Sequence, residues 1–137
     1  MGKAFAWSEK FSVEVKTLDE HHKKLFELMD KLNTALLERR GREVVGEVLQ
    51  ALLDYTVYHF SEEEKLLEIA KADGIVAHKQ LHRDFIDEIK KYKGKADQGM
   101  EAFITTTLSK TLNDWLVNHI GRVDKLYSES MHAAGIH

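Results

Sequence analysis

The sequence predicts an all-α fold, an antiparallel up-down-up-down four-helix bundle with an extended N-terminal arm, on three observations. Apolar residues recur at three- and four-residue steps over long stretches, and no alternating strand pattern competes with them. Proline is absent, which leaves glycine as the only strong helix breaker in 137 residues. The breaks between periodic stretches are short, and short connections between long helices force antiparallel neighbours.

Residues 1–16 carry Trp7, Phe11, Val13 and Val15 without helical spacing and read as an arm laid over the domain. Thr17-Leu18-Asp19-Glu20 fits a capping box, and Leu25, Met29, Leu32 and Leu36 follow on one face, giving a first helix over 17–40 with Gly41 as its stop. Val45, Val48, Leu49, Leu52, Thr56, Phe60, Leu66 and Leu67 set a second helix over 42–72, ended by the Asp73-Gly74 turn signal. Ala77, Leu81, Phe85, Ile89 and Tyr92 give a third over 75–93, closed by Gly94. Phe103, Leu108, Thr111, Leu112, Trp115 and Leu116 place a fourth over 99–131. The length suits one domain, 1–137.

Composition removes several functions. A net charge of −3 with interspersed signs leaves no basic face for nucleic acid. Without cysteine there can be no disulfide, iron–sulfur cluster or thiolate metal site, so any metal must use nitrogen and oxygen. No apolar run approaches the roughly 18 residues of a membrane span, and the first residues lack a signal-peptide apolar core, so a cytoplasmic protein is expected.

Eight histidines in a chain of this length need an explanation. His59 and Glu63 are four apart, as are His78 and His82, and a four-residue step returns to nearly the same helix face. His22 lies on the stripe of Leu25 and Met29, and His119 follows Trp115 by four. In an up-down-up-down bundle the start of the first and third helices and the end of the second and fourth meet at one end. The separations 22 to 59 and 82 to 119 are both 37 residues, so each hairpin returns to its starting height. A single core-facing histidine is more often a hydrogen-bonded packing residue than a ligand. Five at one depth with a carboxylate would cost several kcal/mol to bury without compensation, which a metal supplies.

Five imidazoles with carboxylates exceed what one zinc takes. A zinc peptidase motif would need Glu at 79, where this chain has Lys, and the only Glu-x-x-His, Glu129 to His132, lies in the tail, against the ferritin-like pattern. Two ions fit better.

Taken together, Asp19-Glu20-His21-His22-Lys23-Lys24-Leu25-Phe26, His59-Phe60-x-x-Glu63, His78-x-x-x-His82 with Phe85, and Trp115-Leu116-x-x-His119-Ile120-x-x-x-Asp124 resemble the bacterial hemerythrins over nearly the whole chain. His21 departs from the pattern, which often has Gln there. The resemblance implies two iron ions joined by an oxo or hydroxo bridge. His78, His82 and His119 would hold one iron, His22 and His59 the other, with Glu63 and Asp124 bridging. It implies reversible dioxygen binding at the less filled iron, for sensing, delivery or storage, and no catalytic residue. Leu25, Phe60, Trp115, Leu116 and Ile120 would then wall the oxygen pocket, although ordinary packing explains them equally well. A di-iron enzyme, oxidase, peroxidase or nitric-oxide-handling, is the rival. The chain is also similar to modules at the cytoplasmic end of some chemotaxis receptors, where an upstream signalling region would be its partner.

Asp124 stands five residues from His119, about 140° apart on a regular helix, so the spacing predicts a π-type turn within 119–124, eased by Gly121.

Overall fold

The computed structural model describes residues 6–39, 42–99 and 106–137. Helix α1 spans Lys16–Leu37, α2 Arg42–Ile69, α3 Ile75–Asp97 and α4 Thr106–Asn118; a π turn at His119–Val123, a 3-10 turn at Asp124–Tyr127 and the short α5 at Ser128–Ala133 complete the chain. There is no strand among the described residues. Contacts run α1 to α2, α2 to α3, α3 to α4 and α4 back to α1, the closed ring of an antiparallel four-helix bundle.

Each helix buries one stripe, as its periodicity requires. On α2 the buried positions are Val45, Leu49, Leu52, Thr56, His59, Phe60, Glu63 and Leu67. On α3 the inner face of the first turns belongs to His78 and His82, while Ala77 is exposed and Leu81 half-buried. Two apolar cores result. The larger fills the bundle body from Leu25, Met29, Leu32, Leu49, Leu52, Phe85, Ile89, Leu112 and Leu116. The smaller closes one end with Val13, Val15, Leu18, Leu67, Tyr127 and Met131, joining the arm to the tail.

The helix ends differ from the sequence reading in several places, and α1 stops at Leu37, short of the expected 40. Thr17 caps nothing: α1 begins one residue earlier, after Val15, and Asp19 instead turns back to accept from Ser12 Oγ (2.6 Å) and Val13 N (2.8 Å). The arm supplies donors that a local capping box cannot offer, so the tertiary bond prevails. Gly94 does not close α3, which continues through the buried Ala96 and ends where Gly99 takes a left-handed φ of 76°. A glycine inside a helix costs only about 1 kcal/mol, and the turn beyond it buries Ala96. Gly99 thus ends α3 and does not begin the fourth helix. Helix α2 stops at Ile69, three residues short of the expected 72, as Lys71 adopts φ 53° and Ala72 N closes onto Leu67 O. Gly41, Phe103 and residues 1–5 of the arm lie outside the described residues.

Candidate metal centre

The elements bring seven polar side chains to one end of the bundle, beneath the smaller core. His22 enters from the second turn of α1, whose start is fixed by the Asp19 bonds to the arm. His59 and Glu63 enter from the last turns of α2. His78 and His82 come from the first turns of α3, where Gly74, at φ 75°, lets the chain reverse and accepts from His78 N. His119 and Asp124 flank the π turn, and Asp124 N donates to His119 O, a five-residue step. That step is the predicted irregularity, and it brings Asp124 Oδ1 to 3.0 Å from His119 Nε2.

All seven are at most 4% exposed. Potential ligand atoms of Glu63, His78, His82, His119 and Asp124 lie within 4.8 Å of one another, and those of His22, His59 and Glu63 likewise. The two carboxylates divide their oxygens between these groups. Glu63 Oε1 faces His78 Nε2 (2.7 Å) and His82 Nε2 (3.4 Å), while Oε2 faces His59 Nε2 (3.0 Å) and His22 Nε2 (3.6 Å). Asp124 Oδ1 faces His119 (3.0 Å) and His78 (3.3 Å), and Oδ2 faces His22 (3.3 Å).

The electrostatics are those of a cluster built around a cation. Burial opposes protonation of His22 and His78, but the Asp124 and Glu63 carboxylates outweigh it and raise each to about 9. Burial holds His59 down to about 4, with Glu63 only partly offsetting it. Burial alone would raise both carboxylates. The histidines around Glu63, and His119 and His22 around Asp124, keep each below its usual range. Several buried atoms still make no hydrogen bond: both ring nitrogens of His22, His78 Nδ1, Glu63 Oε2 and both Asp124 oxygens. Buried polar groups are rarely left so. A hard or borderline cation with imidazole and carboxylate preference fits this donor set.

Outer contacts fix the rings. His82 Nδ1 pairs with Glu64 Oε2 at 2.8 Å, which turns its Nε2 inward to 3.1 Å from that of His119. Phe60 stacks on His82 (3.7 Å, 4°), Trp115 on His119 (4.4 Å, 11°) and Phe85 on Trp115 (4.0 Å). Tyr127 stands edge-on to His78 at 4.7 Å. Leu25, Phe60, Leu116 and Ile120 are buried in the same apolar cluster, with Trp115 half-buried against it. Glu64 and Tyr127 escape the sequence reading. The run Glu62-Glu63-Glu64 was the available sign of the first, since consecutive helix positions face different neighbours; nothing local marks the second. His21, which precedes His22 in the chain, is buried with Nδ1 3.0 Å from His59 Nδ1.

Residues 13–129 match the family model described as the hemerythrin HHE cation binding domain. The chain is 32% identical to a bacteriohemerythrin of Stenotrophomonas maltophilia, over 93% of this chain and 81% of that one. It is 34% identical to a bacteriohemerythrin of Methylococcus capsulatus, covering 90% of this chain and 93% of the relative. With myohemerythrin-1 of Phascolopsis gouldii it shares 35%, covering 90% and 91%. A crystal structure of wild-type hemerythrin superposes with a TM-score of 0.85 at 31% identity, over 93% of this chain and 98% of that one. The chain belongs to the hemerythrin family.

Proposed function

We propose that this chain binds dioxygen reversibly at a di-iron centre, as a carrier, store or sensor and not as an enzyme. The observation that carries the reading is the division of Glu63 and Asp124 between a three-histidine and a two-histidine group. His78, His82 and His119 would hold one iron, His22 and His59 the other, and the two carboxylates would bridge them. Three imidazoles and two carboxylates give the first iron five protein donors. The second has four and is the one with room for an exogenous ligand. When bound, the iron pair supplies the electrons that make dioxygen binding possible and reversible.

The protein's own part is to hold, dry and orient. Stacking of Phe60 and Trp115 fixes the rings of His82 and His119, and the Glu64 bond fixes which nitrogen of His82 points inward. Leu25, Leu116 and Ile120, each at most 1% exposed, exclude water and anions from the pocket. Five histidines with two carboxylates give fewer anionic donors than the carboxylate-rich centres that activate oxygen, which favours binding over oxidation. Among the described residues no helix is long and apolar enough to cross a membrane. The resemblance to receptor modules supports a cytoplasmic sensing role with an upstream signalling region as partner.

The test is to load the chain anaerobically with ferrous iron, admit oxygen, record the visible spectrum and then remove oxygen. Two irons per chain and charge-transfer bands that appear and vanish reversibly are expected. Rapid irreversible oxidation with turnover would instead establish the enzyme reading.

A further inference from the structure

We infer that His21 is a positioning residue for the centre: it holds the outer nitrogen of His59 and so keeps the inner nitrogen aimed at the iron site. The inference rests on the di-iron reading and deepens it. Its Nδ1 lies 3.0 Å from Nδ1 of His59, and both rings are buried. The opposite nitrogen of His59, Nε2, lies 3.0 Å from Glu63 Oε2 within the two-histidine group. An imidazole that binds a cation through Nε2 is neutral and carries its remaining proton on Nδ1. That proton then donates to His21 Nδ1. Such a partner fixes the tautomer and orientation of a ligating ring and raises its basicity.

Histidine suits this position for a reason that Gln does not share. In the chain alone, His59 Nε2 stands 3.0 Å from Glu63 Oε2, and a proton kept on Nε2 there would make His59 Nδ1 the acceptor and His21 the donor. With a cation at Nε2 the bond runs the other way. One ring nitrogen of His21 serves both directions without the ring turning, whereas an amide must present a different atom for each.

The surroundings keep His21 from turning. Tyr55 meets it edge-on at 6.0 Å and Tyr58 lies tilted at 5.4 Å, while His59 itself is nearly perpendicular at 5.1 Å. His22, the next residue, lies with its ring 4.8 Å from that of His59 and turns its Nε2 toward Glu63 and Asp124. One turn of α1 therefore supplies a ligand to the two-histidine group and the holder of its other ligand.

His21→Leu removes the nitrogen, and His21→Gln keeps an acceptor. After anaerobic loading with ferrous iron, release to a strong chelator is followed over time. In His21→Leu, one of the two irons should leave at least about tenfold faster than in the parent chain, while the other leaves at the parent rate; His21→Gln should restore most of the loss. Parent-like release from His21→Leu, or a Gln variant no better than Leu, overturns the proposal. A second measurement needs no metal and no variant. In the metal-free chain with 15N-labelled histidine, a nitrogen–nitrogen coupling across the His21–His59 hydrogen bond is expected, and its absence overturns the link. A parent chain that fails to hold two irons defeats the di-iron reading, while the coupling still decides whether His21 grips His59.

Discussion

Glu63 and Glu64 are adjacent in sequence, yet substitution should separate them cleanly. Glu63 touches four histidines through its two oxygens, so Glu63→Ala removes a donor from both groups and should lower iron from two per chain to one or none. Glu64 bonds the outer nitrogen of His82 and touches neither inner group, so Glu64→Ala should keep two irons but weaken the hold roughly tenfold or more. A colorimetric iron assay with a chelator competition distinguishes them, and equal losses would contradict the division of roles. Acidity gives a second test at this scale. His22 and His78 are raised to about 9 from 6.5, so their contribution to the metal-free chain is complete below pH 6.5 and lost as pH rises through 9. His59 is lowered to about 4, so its contribution is present above pH 6.5 and lost as pH falls toward 4. The melting temperature of the metal-free chain should therefore decline between pH 7 and 9.5. Loading with iron at pH 7 should expel about two protons per chain, those of His22 and His78, measured with an indicator dye in weak buffer. The meeting of these side chains was legible because helical spacing and hairpin length are both written in residue numbers. Glu64 and Tyr127 were not, because their partners His82 and His78 lie on another helix and no spacing rule links them.

Helix starts and stops were the least legible elements, and α1 shows why. Thr17 has the right neighbours for a capping box, but a capping signal is local, and the arm offers Asp19 better donors from outside the helix. Thr17→Ala should change stability by no more than about 0.5 kcal/mol, the range of a surface substitution. Asp19→Ala, which breaks two hydrogen bonds to a carboxylate, should cost roughly 1–3 kcal/mol in urea unfolding. The reverse order would restore the capping box. The π turn is the opposite case, legible from a single number, the five-residue step between His119 and Asp124. Its glycine matters less than the sequence suggests. Gly121 does not adopt a left-handed φ, and a Cβ there would meet Phe11 at 3.5 Å, an ordinary contact. Gly121→Ala should fold with two irons bound and gain about 0.4–1 kcal/mol from a less flexible unfolded chain. A loss of more than about 1 kcal/mol would show that the turn needs glycine.

Across the whole molecule, the bundle body, the polar centre and the closing core form three levels along one axis. The antiparallel order was legible because the connections between long helices are short, and four histidine positions agree with it. The closing core was not, since Val13 and Val15 belong to an arm without periodicity and their partners Tyr127 and Met131 are more than a hundred residues away. Ser128 Oγ donates to Val13 O, His132 Nε2 pairs with Glu14 O, and Lys125 Nζ reaches Lys10 O, so the tail is fastened to the arm along its length. A cation bound below this lid ties all four helices together and stabilises only the folded chain, in proportion to the logarithm of its concentration over its dissociation constant. The π turn sets the phase of everything that follows it. Rewinding this turn as regular α-helix with every residue kept would rotate the rest of the chain by about 100°. Asp124 would swing away from the histidines, and in the same motion Tyr127 and Met131 would leave the closing core. Metal retention and closure of the bundle end therefore share one angular setting, and the tail cannot be re-registered against the arm without also opening the centre.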